Sequence, residues 1–289
     1  MSDLRRIIWL ASYPKSGNTW IRALLAHYFM PKTKVPDINN LRQFTTGDTR
    51  ADIFDAAVGG KYYAGSPAEW LPGRTKVLHM IAASKPNHHF VKTHCQASKY
   101  MGADLIPPQL TAGAIYIMRN PFDLVPSLAR HLKTDVDTAI DIMLNTESIT
   151  GTENGIYDAI GRWDRHVASW VNAPGLSLHV VRYEDMIDHT ARTVRTLLTK
   201  FMKVQVDSEK LAYAVKSTSF KALQKQEDEL GFTEKPEGVE RFFAKGRAGV
   251  WREDLTPTQV SRIREGFPET LAKWYPELDA ETAEFAKAG

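Results

Sequence analysis

Ile7-Ile8-Trp9-Leu10-Ala11, followed by Ser12-Tyr13-Pro14-Lys15-Ser16-Gly17-Asn18-Thr19-Trp20, is the stretch that decides the fold. An unbroken apolar run bounded by a turn signal reads as a strand buried on both faces, the kind that belongs in a parallel sheet. Pro14 and Gly17 end that run. From Thr19 to about Phe29 the residues Trp20, Ile21, Leu24, Leu25, Tyr28 and Phe29 recur at helical spacing. A strand turning into a helix leaves several backbone N–H groups unpaired at the positive end of the helix dipole. Phosphate or sulfate binds there readily. Gly17 permits close backbone approach, Lys15 adds a mobile cation, and Ser16, Asn18 and Thr19 add side-chain donors. A capped strand-to-helix turn without a ligand would use the same residue types. Because Lys15 precedes the glycine, the Gly-Lys-Ser/Thr of a Walker A loop and its Mg²⁺-binding hydroxyl are missing, which disfavours a nucleoside triphosphatase.

Working outward, short strands are expected at His89-Phe90-Val91-Lys92, Ala114-Ile115-Tyr116-Ile117-Met118 and Leu178-His179-Val180-Val181-Arg182-Tyr183. Helices are expected behind Pro121, from about Tyr157 to Val171, near Thr190 to Met202, near Ser208 to Lys216 and after Pro257. Residues 31–76 read as irregular apart from a helix near Arg50 to Val58. The stretch 227–249, rich in Gly, Pro and charge, reads as a flexible surface segment. Buried runs alternating with helices imply an α/β fold, a single domain over 1–289 whose central, mainly parallel sheet is flanked by helices. Ligands of such sheets bind at the carboxyl ends of the strands. Three of the four strands end in chemically capable residues: Lys15 with its loop, Thr93-His94, and Arg119-Asn120-Pro121.

Composition narrows the function. The 289 residues carry 37 Lys and Arg against 34 Asp and Glu, a formal charge of +3, too balanced for a nucleic-acid footprint. Cys95 is the one cysteine, which excludes an intrachain disulfide and a thiolate zinc site. No apolar run approaches the ~20 residues that span a bilayer, so no membrane insertion is expected and a cytoplasmic location is. His88 and His89 face opposite sides of a strand and cannot share a metal; no metal site is expected.

Tyr13 to Trp20 resembles the 5′-phosphosulfate loop Tyr-Pro-Lys-Ser-Gly-Thr-Thr-Trp of the cytosolic-type sulfotransferases that use 3′-phosphoadenosine 5′-phosphosulfate (PAPS), matching seven of eight positions, with Asn18 the exception. The other blocks of that family follow in order. Arg119-Asn120-Pro121-Phe122-Asp123 with Ser127 resembles its 3′-phosphate motif; an arginine at a strand end can fork onto phosphate, or could simply pair with Asp123. Lys92-Thr93-His94 resembles its catalytic Lys-Thr-His. Tyr183-Glu184-Asp185 resembles the block whose tyrosine reaches the nucleotide, the acids being structural. Ser217-Thr218-Ser219-Phe220 matches the segment that encloses adenine with Trp20. Lys245-Gly246-Arg247-Ala248-Gly249-Val250-Trp251-Arg252 resembles the C-terminal loop that closes over the 3′-phosphate, with Ala244 where an arginine usually precedes the lysine and Val250 in place of an aspartate.

The resemblance implies a P-loop-like phosphosulfate loop and a metal-free enzyme that moves a sulfuryl group from PAPS to a hydroxyl, or an amine, of a small-molecule acceptor. It implies His94 as base, with Lys15 and Lys92 stabilising the leaving phosphate. The nucleotide would be held by Lys15, Ser16, Gly17, Asn18, Thr19, Trp20, Arg119, Ser127, Tyr183, Thr218, Ser219, Phe220, Lys245, Gly246 and Arg247. A small-molecule kinase using ATP and Mg²⁺, or a non-catalytic adenine-nucleotide-binding module, are the alternatives. The family's short C-terminal dimer motif is not evident near Leu255 to Val260, which leaves the oligomeric state open.

Overall fold

The computed structural model describes residues 5–151, 153–235 and 237–287. Its strands are β1 (Ile7–Ser12), β2 (Thr45–Gly47), β3 (His89–Thr93), β4 (Lys99–Tyr100), β5 (Ala103–Asp104), β6 (Thr111–Met118), β7 (Ile149–Gly151), β8 (Tyr157–Ala159) and β9 (Leu178–Arg182). The helices that frame the site are α1 (Asn18–Phe29), α2 (Ala51–Val58), α3 (Pro67–Ala83), α4 (Pro121–Leu132), α5 (Val136–Leu144), α6 (Trp163–Val171), α7 (Tyr183–Thr196), α8 (Ser208–Ser217) and α9 (Phe220–Leu230). Short helices between Trp251 and Lys287 close the chain.

Five strands form one all-parallel sheet in the order β2-β3-β1-β6-β9. The apolar runs serve both faces. Ile7, Trp9 and Ala11 of β1, with Ala114, Tyr116 and Met118 of β6, pack into a core that includes Val77 of α3, Leu124 and Leu128 of α4 and Trp170 of α6. Leu10, Ile115 and Ile117 pack the other way, against Ile21, Leu24 and Leu25 of α1 and Leu211 of α8. Period-two alternation into two cores is what a covered parallel sheet requires. Register then fixes the rim: Ala11 lies beside Thr93, Ser12 beside Ile117 and Met118 beside Arg182. The loop after β1, His94, Arg119 and Tyr183 therefore leave the sheet along one edge, where the strand order reverses at β1.

Several elements differ from the sequence reading. The stretch from Tyr157 is not helical throughout: Tyr157–Ala159 pairs antiparallel with Ile149–Gly151, and the chain bends at Gly161 (φ +60°) before α6 begins at Trp163. Residues 31–76 contain more than the helix near Arg50 to Val58; they also hold edge strand β2 and the start of α3, which Ser66 caps and whose Pro72 and Gly73 disguise it in sequence. The helix placed at Thr190 starts at Tyr183 and continues past a distorted His189. Helix α5 was not anticipated. Within 227–249, of which residue 236 lies outside the described residues, α9 runs on to Leu230, and the other described residues form irregular chain whose Phe242 and Phe243 N–H groups donate to the Glu227 carboxylate at 2.6 and 2.9 Å. Among the described residues no helix is long and apolar enough to cross a membrane.

One buried ion pair braces the sheet edge. Arg74 Nη2 of α3 meets Asp48 Oδ2 at 2.7 Å and the Leu105 carbonyl at 3.0 Å, with the two charged side chains 2% and 1% exposed. Removing Asp48 leaves the buried guanidinium without its ion-pair partner. Asp48→Ala is expected to lower unfolding stability by about 3–5 kcal/mol in urea titration, and the double change Asp48→Leu with Arg74→Met to recover most of it.

Candidate active site

The loop after β1 is shaped by two left-handed residues, Lys15 (φ +68°) and Gly17 (φ +98°). At Gly17 a Cβ would come within 2.6 Å of the Tyr183 ring, so the position admits only glycine. Arg119 Nη1 donates to the Lys15 carbonyl at 3.1 Å, tying the end of β6 to the loop. No side chain caps α1, which leaves its first N–H groups to a ligand. Asn18 turns inward instead: its side-chain amide donates to the Leu10 carbonyl at 2.9 Å and to Ser12 Oγ at 3.3 Å.

Cations converge on this turn. Burial, then the charges of Arg119, Arg130 and Lys92, pull Lys15 down to about 7, with Glu234 opposing them. Its Nζ stands 3.5 Å from the centre of the Phe242 ring. Arg119 lies over Tyr183, 4.5 Å from the ring centre. Ser16 Oγ, Trp20 Nε1 and Arg119 Nε are buried and have no hydrogen-bond partner among the described residues. Buried donors are ordinarily satisfied, and three unsatisfied ones around an uncapped helix start suit a multiply charged anion attached to an aromatic base.

His94 follows β3 directly. Its Nδ1–H donates to the Ser12 carbonyl at 2.8 Å, which fixes the tautomer and leaves Nε2 with a lone pair. Its carbonyl accepts from His166 Nε2 at 3.0 Å, while the Tyr116 hydroxyl donates to His166 Nδ1 at 2.8 Å. Ring and main chain of His94 are thus each held by one neighbour, through Nδ1 and the carbonyl oxygen. Burial, followed by the nearby Lys92 charge, holds the imidazole well below its ordinary range, so it is neutral near pH 7.

These groups share one cavity of about 390 Å³, lined by Lys15, Thr19, Trp20, Lys92, His94 and Arg119 and also by Ser127, Tyr183, Phe220, Lys245 and Gly246. Other residues expected at the nucleotide lie differently. Thr218 bonds back along α8 to the Ala214 carbonyl at 2.8 Å, and Ser219 caps α9, so neither side chain lines the cavity. Lys245 Nζ is held by Asp254 at 2.7 Å, and the exposed Arg247 pairs with Glu253 outside the cavity. Arg119 does not pair with Asp123. That carboxylate instead accepts from the Gly249 and Trp251 N–H groups at 2.8 and 3.0 Å, anchoring the C-terminal loop. Glu184 accepts from the Asn120 main-chain and side-chain N–H groups and so braces the end of β6.

A family model described as a sulfotransferase domain matches residues 5–275. The chain belongs to the sulfotransferase family. Sulfotransferase 1B1 of Canis lupus familiaris is 26% identical over 279 residues, covering 89% of this chain and 80% of that protein. Flavonol 3-sulfotransferase of Flaveria bidentis is 23% identical over 278 residues, covering 91% and 81%. Among solved structures, mouse sulfotransferase SULT7A1 complexed with PAP superposes with a TM-score of 0.63 at 20% identity, over 99% of this chain and 90% of that one. Retinol dehydratase with androsterone and inactive cofactor PAP gives 0.58 at 18%, over 94% and 82%. These two likenesses are of fold.

The sulfotransferase site includes residues the sequence reading passed over. Arg130 and His131 line the cavity from α4, three and four positions after Ser127, a spacing that puts them on the same helix face and could have flagged them. Thr150 and Asp158 enter from the β7–β8 hairpin and Glu234 from the chain after α9, with no local signal. Burial and the neighbouring Asp48 charge raise Asp158 to about 6. The crowding of cations is directly measurable: in competitive labelling, Lys15 is expected to titrate near pH 7, and Arg119→Met to move that midpoint upward by removing a like charge. A midpoint near the ordinary lysine value would contradict the arrangement.

Proposed function

We propose that this sulfotransferase transfers the sulfuryl group of PAPS to a hydroxyl of a small-molecule acceptor, leaving 3′,5′-diphosphoadenosine (PAP). The observation that carries this reading is His94: a neutral imidazole whose Nδ1–H is held by the Ser12 carbonyl, leaving the Nε2 lone pair as a base in the same cavity as an uncapped helix N-terminus, Lys15 and Lys92. The PAP named in the matched structures supports the nucleotide, and the androsterone named with it in the retinol dehydratase structure supports a small acceptor.

In this reading Lys15, the loop N–H groups and Lys92 hold the 5′ end, Arg119 and Ser127 the 3′-phosphate, and Trp20 and Phe220 the adenine. Aromatic stacking on a base is worth about 1–3 kcal/mol. Bound there, PAPS supplies the sulfuryl group. His94 Nε2 takes the proton of the attacking hydroxyl. Lys15 and Lys92 meet the negative charge that grows on the departing phosphate, a preorganised electrostatic role like that in phosphoryl transfer.

The test is radiolabelled PAPS with a panel of hydroxylated acceptors. Label is expected to pass to at least one. His94→Ala is expected to lower kcat by about 10²–10⁴-fold with the PAPS KM little changed, and Arg119→Ala to act mainly by raising that KM. Equal transfer by wild type and both His94→Ala and Lys15→Ala would refute the assignment.

The pH profile has an unusual expected position. His94 must be neutral, and its lowered value keeps it so as pH falls through 6.5, so kcat/KM should hold there. Lys15 must be charged, and in the free enzyme it loses its proton above about 7. Because kcat/KM reports ionisations of the free enzyme, kcat/KM for PAPS should decline from about pH 7 upward. A plateau reaching pH 9 would contradict it.

A further inference from the structure

Glu234 belongs to the irregular chain beyond α9, yet its carboxylate lies inside the anion cradle. Oε1 accepts from Arg22 Nη1 at 2.9 Å, and Oε2 from Thr19 Oγ1 at 3.5 Å. Thr19 is the second residue of α1, at the helix start that no side chain caps. Arg22 follows one turn later, 4% exposed, its Nε fixed on Thr45 Oγ1 at 2.9 Å. Lys15 and Lys92 both feel the Glu234 charge. Burial alone would push this carboxyl up; Arg22, Lys92 and the two hydrogen bonds outweigh it and hold the group below its ordinary range, as an anion.

The physical reason for such a contact is the cradle itself. Lys15, Lys92, Arg22 and Arg119 are drawn together by the fold, and like charges in a poorly solvated site repel. A carboxylate offers what the 5′ end of the nucleotide would offer: negative oxygens that accept from a guanidinium and a hydroxyl at a helix N-terminus. The Arg22 guanidinium does not line the cavity, whereas Glu234, which pairs with it, does. The carboxylate therefore stands between a buried cation and the space a ligand would fill.

We propose that Glu234 is an internal anion that occupies the phosphosulfate cradle of the free enzyme, and that PAPS binds by displacing it, which frees Arg22 Nη1 and Thr19 Oγ1. The proposal rests on the reading of this cradle as the phosphosulfate site. It makes the carboxylate a competitor of the nucleotide, so that apparent affinity is the intrinsic affinity multiplied by the fraction of time the cradle is open. The opposite arrangement, in which the Arg22–Glu234 pair survives nucleotide binding and fastens the segment over it, predicts the reverse effect.

Glu234→Gln keeps the shape and removes the charge; Glu234→Ala removes both. Calorimetric titration of wild type and both variants with PAP, 5′-AMP and 3′-AMP separates the possibilities. Expected are tighter PAP and 5′-AMP binding by both variants, roughly tenfold if the carboxylate fills the cradle nine-tenths of the time, and unchanged affinity for 3′-AMP, which carries no 5′-phosphate. A melting temperature within a few degrees of wild type establishes that each variant is folded, and the partly exposed side chain makes that outcome the expected one. If the wild type binds PAP and transfers sulfate while both variants bind PAP and 5′-AMP no more tightly, or less tightly, Glu234 is not a competitor and the sulfotransferase assignment stands. Binding of PAP by none of the three proteins would overturn both.

Discussion

Arg119 reaches across from the end of β6 to the carbonyl of Lys15, and on that 3.1 Å bond depends the separation of the two cations. The bond keeps the Arg119 charge beside the loop, where burial and that charge bring Lys15 down to about 7. A lysine so placed is a poor resting cation and a strong partner for an incoming dianion, because binding restores the proton that burial disfavours. Tyr183 serves both halves of this arrangement. Its ring leaves no room for a Cβ at Gly17 and carries the Arg119 guanidinium on its face. The site is thus held by a few contacts between strand ends rather than by any one element.

The sheet makes those contacts possible. All five strands run the same way, so the β1–α1 loop, His94, Arg119 and Tyr183 emerge at one rim. The C-terminal loop, far away in sequence, is brought there by Asp123, which accepts from the N–H groups of Gly249 and Trp251. In sequence Asp123 can read as a partner for Arg119; in the structure it holds main chain, and the arginine bonds to the Lys15 carbonyl instead.

What could be read in advance follows from how local each signal is. Strands β1 and β6 announce themselves as apolar runs buried on two faces, β3 and β9 as shorter ones, and Pro14 and Gly17 mark the β1–α1 turn. Helix α3 hides behind Pro72 and Gly73, and the β7–β8 hairpin is missed because Tyr157 to Ala159 reads as the start of the helix that begins only at Trp163. Lys245 and Arg247 look like nucleotide ligands in sequence, but Asp254 and Glu253 nearby take them up in this structure. Glu234 and Asp158 could not have been named, since only tertiary folding places their carboxylates beside cations that local sequence does not pair with them.

His94 stands where these two kinds of information meet. From one side its ring is fixed by Ser12, at the end of the strand that leads into the β1–α1 loop. From the other its carbonyl is fixed by His166, on α6. The hairpin and α4 also line the cavity with Thr150, Asp158 and His131, the part of the site without a motif. A ring suspended between both halves is set by each: the end of β1 orients the imidazole and α6 holds its main chain, while the hairpin shapes the cavity that His94 lines.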